Sequence, residues 1–175
     1  YDVKGLLKSA IRDDNPVISF ESTRLQTFEG EVPDEEYTIP LGQADIKREG
    51  KDVTIVALAW LVHEALAAAE TLAAEGIDAE VIDLRSIRPL DVETIIGSVK
   101  KTNRVVSAEE GWAFSGIGSE IAATIMEQAF DWLDAPVARV AAVDVPLPYA
   151  ANLEVLALPQ PEDIAKAAKS VCYRD

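Results

Sequence analysis

The chain predicts a three-layer α/β/α domain built on a largely parallel sheet. Two observations point there. From Val53 onward, short apolar runs rich in β-branched residues alternate with helical segments, and that alternation is the signature of βαβ units. The runs are also continuously apolar, as expected of strands covered on both faces. With 175 residues and 49% apolar content, the chain can bury a substantial core as one domain over residues 1–175. The pattern does not fix strand order.

Val3, Leu6, Leu7, Ala10 and Ile11 fall on one face of a helix over 3–12, with Asp2 as its N-cap. Asn15-Pro16 ends it, and Val17–Phe20 is then read as a short strand. Residues 21–42, punctuated by Gly30, Pro33, Pro40 and Gly42, form a connection long enough to be functional or interfacial. A small strand at Ala44–Lys47 and a turn at 49–52 follow. Strands are expected at Val53–Leu58, Ala79–Leu84, Arg104–Ala108 and Val137–Ala141. Between them lie a helix at Leu61–Glu75 stopped by Gly76, one running from an Asp91 cap to Lys101, and a long one from Gly116 to Leu133. Two helical pieces, Ala151–Leu156 and Pro161–Val171, close the chain.

Sixteen basic residues against thirty-one acidic give a net charge of −15. That excludes a nucleic-acid backbone as partner, since it needs clustered Lys and Arg. It keeps a surface soluble and also permits steering toward a basic protein. No apolar stretch is long enough for a membrane span, and the first residues do not read as a signal peptide. The single Cys172 excludes an internal disulfide and fits a reduced, cytoplasmic setting.

Candidate chemistry is thin. His63, the only histidine, stands near a helix start that favours a neutral ring, but Glu64 beside it does not share its face. Ser115-Gly116-Ile117-Gly118-Ser119 opens a helix and can present N–H groups to an anion, with Ser115 as a candidate cap. It lacks both the third glycine of a dinucleotide fingerprint and the lysine of a phosphate loop, so a tight turn is the simpler reading. Asp83, Glu109 and Glu110 at strand ends are weak cation candidates beside a solvated edge. Cys172 has no activating neighbour. No residue is assigned to catalysis, cofactor binding or a metal.

Three phrases carry more information through their order: Glu80-Val81-Ile82-Asp83-Leu84-Arg85-Ser86-Ile87-Arg88-Pro89-Leu90-Asp91, Glu109-Glu110-Gly111-Trp112, and Asp144-Val145-Pro146-Leu147-Pro148-Tyr149-Ala150-Ala151-Asn152-Leu153-Glu154. Together with Gly30-Glu31-Val32-Pro33 and Tyr37-Thr38-Ile39-Pro40-Leu41-Gly42, they resemble the C-terminal domain of the E1 β subunit of thiamine-dependent 2-oxoacid dehydrogenases, of the pyruvate type. Val62-His63-Glu64-Ala65-Leu66-Ala67-Ala68-Ala69-Glu70 is similar to the acetoin and branched-chain types. The resemblance implies a transketolase C-terminal-domain-like fold, with a mixed five-stranded sheet in which one strand opposes the rest. It also implies a parent reaction, 2-oxoacid decarboxylation on thiamine diphosphate with a divalent cation. The implied partners are other β subunits, the E1 α subunit and the subunit-binding domain of the E2 acyltransferase. The pyrimidine-binding domain that precedes this region in the family is not in this sequence. The resemblance therefore leads to an expectation of no chemistry and no cofactor for this chain alone.

The departures from the family pattern share a place. Leu25-Gln26, Ala57-Leu58-Ala59-Trp60-Leu61, Gly111-Trp112-Ala113-Phe114 and Ala141-Ala142-Val143 depart from the family phrases, most of them from polar to apolar, each near the C-terminal end of a predicted strand. That edge of an α/β sheet is where ligands and partners sit. Trp60, Leu61, Phe114, Leu147 and Tyr149 are accordingly the interface candidates, aromatic anchors being the usual centre of a docking surface. Three readings follow. One is a non-catalytic assembly module, with another copy or a designed chain as partner. The second is an engineered scaffold whose edge holds a new interface or pocket. The third is a fragment of the dehydrogenase.

Overall fold

A computed structural model describes residues 1–174 of the chain. Five strands form one sheet in the order β1-β3-β2-β4-β5: β1 (Asp45–Arg48), β2 (Val53–Ala57), β3 (Ala79–Asp83), β4 (Val105–Trp112) and β5 (Ala138–Ala142). All neighbours are parallel except β1 against β3. The expected mixed sheet with one opposing strand is what the fold contains.

Helices cover both faces. Helices α2 (Leu61–Ala74) and α6 (Pro161–Val171) bury Ala65, Ala68, Leu72, Ile164 and Ala168 against one face of the sheet. Helices α3 (Val92–Thr102) and α4 (Ile117–Ala129) bury Ile95, Val99, Ile121 and Ile125 against the other. All five positions of β2 are buried, which is why that strand is apolar without alternation. A short α5 (Ala151–Ala157) leads into α6. Asp91 caps α3 as expected, its carboxylate accepting the Thr94 N–H at 3.0 Å.

Four sequence expectations change. Val17–Phe20 is not a strand; it runs beside no sheet and Phe20 is 90% exposed. The long helix after Gly116 stops at Ala129, and a 3-10 turn spans Phe130–Trp132. Asp2 is not a cap: it lies in the first turn of α1 (Asp2–Arg12), and its carboxylate takes Arg85 at 2.7 Å and Lys47 at 3.0 Å. Strand β4 continues four residues past Ala108, so Glu109 and Glu110 are strand residues.

Helix α1 stands outside both helical layers and packs on the segment that precedes β1. Gly5 lies so close to Ile39 that a Cβ would fall 2.5 Å from it. Tyr1 and Tyr37 stack at 4.7 Å, and Lys8 and Arg12 share the Glu36 carboxylate.

Candidate functional site

The C-terminal ends of the parallel strands bring the sequence-selected residues to one edge, but they fall into separate groups. The first is the Gly116–Gly118 turn. The Glu109 side chain, 5% exposed, turns back into it and accepts the N–H groups of Ile117 at 2.9 Å and Gly118 at 3.0 Å. The first turn of a helix attracts an anion because its N–H groups have no intrahelical partner. Here the anion is the protein's own carboxylate. Gly116 and Gly118 leave the space: a Cβ on either would lie within 2.8 Å of a Glu109 carboxylate oxygen. Ser115 is not the cap; it has φ 58° and Gly116 holds that position without a side-chain bond. A diphosphate such as that of thiamine diphosphate does not fit this turn, whose N–H groups are already taken by a negative charge.

The second group surrounds Trp60, at the start of α2. Its indole N–H donates to Glu64, the Arg24 guanidinium lies 4.0 Å from the ring, and Phe28 packs edge-on at 5.5 Å. His63 stacks against Phe28 at 4.4 Å, so the imidazole is placed among rings rather than beside an acid–base partner. Trp60 is half-buried, packed on the core beneath it and faced by Arg24 and Phe28 of the 21–31 segment. Leu61 leaves the interface set: at 1% exposure it belongs to the core, pointing under α2 into the sheet.

Phe114, Leu147 and Tyr149, in the loops that follow β4 and β5, each stand at the surface, Phe114 84% exposed. Leu153 and Leu156, on α5, are further exposed apolar residues on the segment that follows Tyr149. Trp112 is half in solvent at the end of β4.

The third group is a charge cluster over β1 and β3. Arg85 bonds Asp2 and Asp45, and Lys47 lies 2.7 Å from Asp45 and 3.9 Å from Asp83. Burial would raise the Asp2 carboxyl, but hydrogen bonds from Lys47 and Arg85 outweigh it and hold it below its ordinary value. Asp83 goes the other way, because burial dominates its single backbone bond from Arg85. Glu110 is also pushed up by burial, against the nearby Arg24. An open cleft of about 760 Å³ lies beside this cluster, lined by Phe28, His63, Lys47 and Arg85. Its cations are already paired with carboxylates. Among the described residues, no group of three or more His, Cys, Asp or Glu is placed to hold a metal ion, and no helix is long and apolar enough to cross a membrane. Burial raises the Cys172 thiol above its ordinary value, which suits a passive side chain.

The comparisons with known proteins agree with this architecture. Residues 42–164 match the family model described as transketolase, C-terminal domain. The chain is 56% identical to the mitochondrial pyruvate dehydrogenase E1 component subunit beta of Dictyostelium discoideum over 178 residues, which is 99% of this chain and 50% of that protein. It is 56% identical over 172 residues to the Rickettsia felis subunit beta, covering 98% of this chain and 53% of that one. Among solved structures, one described as a split gene transketolase, inactive beta4 tetramer, aligns with TM-score 0.70 at 34% identity, over 82% of this chain and 46% of its own. The chain spans about half the length of the curated relatives it matches. It belongs to the transketolase C-terminal domain family and is similar throughout its length to pyruvate dehydrogenase E1 β subunits.

Proposed function

We propose that this chain is a non-catalytic assembly and docking unit of a pyruvate dehydrogenase E1 β-type subunit, acting through protein contacts, first of all with copies of itself. One observation carries the reading. The edge where α/β sheets hold ligands has its anion-binding turn filled by Glu109, while Phe114, Leu147 and Tyr149 are offered to solvent. A self-filled turn offers no free N–H groups to a phosphate, and exposed aromatics are the usual anchors of a docking surface. The related split transketolase, described as an inactive beta4 tetramer, supports contacts between like chains.

On this reading the chain alone neither decarboxylates a 2-oxoacid nor binds thiamine diphosphate, a reading supported by the Glu109-filled turn at the start of α4. An E1 α-type subunit and the basic subunit-binding domain of an E2 acyltransferase are the proposed partners, and the net charge of −15 favours a basic one. A reducing compartment, with the cytoplasm as first choice, suits the single half-buried thiol.

Native mass spectrometry at two ionic strengths tests the assembly role. Oligomers that persist at both strengths are expected if the apolar residues hold the chains together. A single-copy species throughout would remove the self-association reading. Calorimetric binding of thiamine diphosphate at micromolar concentration would overturn the non-catalytic one.

A further inference from the structure

Residues 16–32 cross the strand-end edge as a strap with little to hold it. Among the described residues, the backbone hydrogen bonds in this stretch stay inside it: Leu25 N–H to Ser22 O and Phe28 N–H to Leu25 O, each 3.0 Å. No residue of its 3-10 helix, Thr23–Thr27, is buried. A segment without ladder bonds or buried apolar side chains belongs to the part of a fold that opens most easily.

The attachment is made by side chains at one place. The Arg24 guanidinium stacks 4.0 Å from the Trp60 ring and reaches to 3.6 Å of the Glu110 carboxylate. Phe28 then caps both Trp60 and His63. Trp60 is fixed from behind by its bond to Glu64, so its ring is presented as a stationary platform. A planar guanidinium suits that platform better than an ammonium does, because it can stack and pair at once. A partly exposed cation–π contact and a long ion pair are each weak, so the attachment is reversible.

We propose that residues 21–31 form a displaceable cover over the Trp60 edge, latched by Arg24. Closed, the strap hides the indole and imidazole faces. Open, it presents both rings, and Phe28, to solvent at the edge of the sheet. The cover stands whether or not the Phe114 face docks protein.

Thermolysin cleavage of the full chain at Leu25 and Phe28, with the Trp60 indole N–H resonance as a second readout, tests this. The variants are Arg24→Gln, Arg24→Lys and Glu110→Gln; a Trp60→Phe spectrum assigns the resonance. Cleavage in the strap should rise about tenfold in Arg24→Gln, less in Arg24→Lys and Glu110→Gln, with cleavage in the sheet unchanged. Raising salt should speed strap cleavage of the wild type and leave Arg24→Gln unaffected. The Trp60 indole signal should move in Arg24→Gln. Strap cleavage at the wild-type rate in Arg24→Gln, an unmoved indole signal, or a rise shared equally by the sheet would overturn the latch.

Discussion

Glu109 holds the Gly118 N–H at 3.0 Å across nine residues of sequence, tying the end of β4 to the first turn of α4. The same carboxylate takes the Ile117 N–H, so one buried side chain supplies both the cap and the charge that this helix start demands. The anion site of the fold is thus spent on folding.

Glu109→Ala should cost about 2 kcal/mol or more, since two charge-assisted bonds are lost and one buried and one part-buried N–H group are left bare. Glu109→Gln, which keeps an acceptor but not the charge, should fall between wild type and Ala. Urea unfolding followed by circular dichroism measures both. Equal stability of all three would mean that the carboxylate does not hold the helix.

Gly118→Ala should also destabilise, by about 1–3 kcal/mol, through steric conflict. Its Cβ would meet the Glu109 Oε1 and Ser107 Oγ atoms at 2.8 Å. Ser107→Ala should relieve part of this in the double variant, because the Ser107 hydroxyl is buried with no hydrogen-bond partner and its loss frees space at little cost. A double-variant cycle in urea gives the coupling.

Acid should loosen α1 before the sheet. Hydrogen bonds from Lys8 and Arg12 hold Glu36 down from 4.5 to about 2. A folded-state pKa below the ordinary one stabilises above pH 4.5, and the contribution is lost as pH falls toward 2. Asp83 has the opposite sign: raised from 3.8 by burial, it favours the fold below that pH and loses this contribution as pH rises past it. Asp83→Asn should therefore gain stability relative to wild type as pH climbs from 3.8 to neutrality. Glu36→Gln should flatten the acid loss of α1, read by amide resonances of residues 2–12 between pH 5 and pH 2, the window spanned by its ordinary and shifted values.

Leu61→Ala and Trp60→Ala should separate although they are neighbours. Leu61 is core, so its truncation should cost about 3 kcal/mol by leaving a cavity. Trp60 is half-buried and packs on both the core and the strap, so its loss should change the strap and cost less than the loss of Leu61. Matching unfolding losses for the two would place Trp60 in the core after all.

What could be read from the sequence follows how local each cause is. The Asp91 cap involves a neighbour three residues away, and β2 declares itself by burial on both faces, so both were visible. Val17–Phe20 has strand composition, but a strand also needs a partner, and none lies beside it among the described residues. The Gly116–Gly118 segment read as a tight turn, with an anion site as the lesser alternative, because glycines signal space and not what fills it. Glu109 could have been suspected as a carboxylate at a strand end preceding a glycine-rich helix start. Leu61 looked like an edge residue because it follows β2 closely; as the first residue of α2 it is directed into the core instead. The cover on Trp60 comes from Arg24 and Phe28, more than thirty residues earlier, which no local pattern encodes.

Sedimentation velocity of the wild type and of a Phe114→Ser/Tyr149→Ser variant bears most directly on the docking role. Both side chains are exposed, so the substitutions should spare the fold. The wild type should associate at micromolar concentration and the variant should sediment as a single chain. A monomeric wild type, or a variant that associates equally well, would show that this face does not hold the protein to its partners.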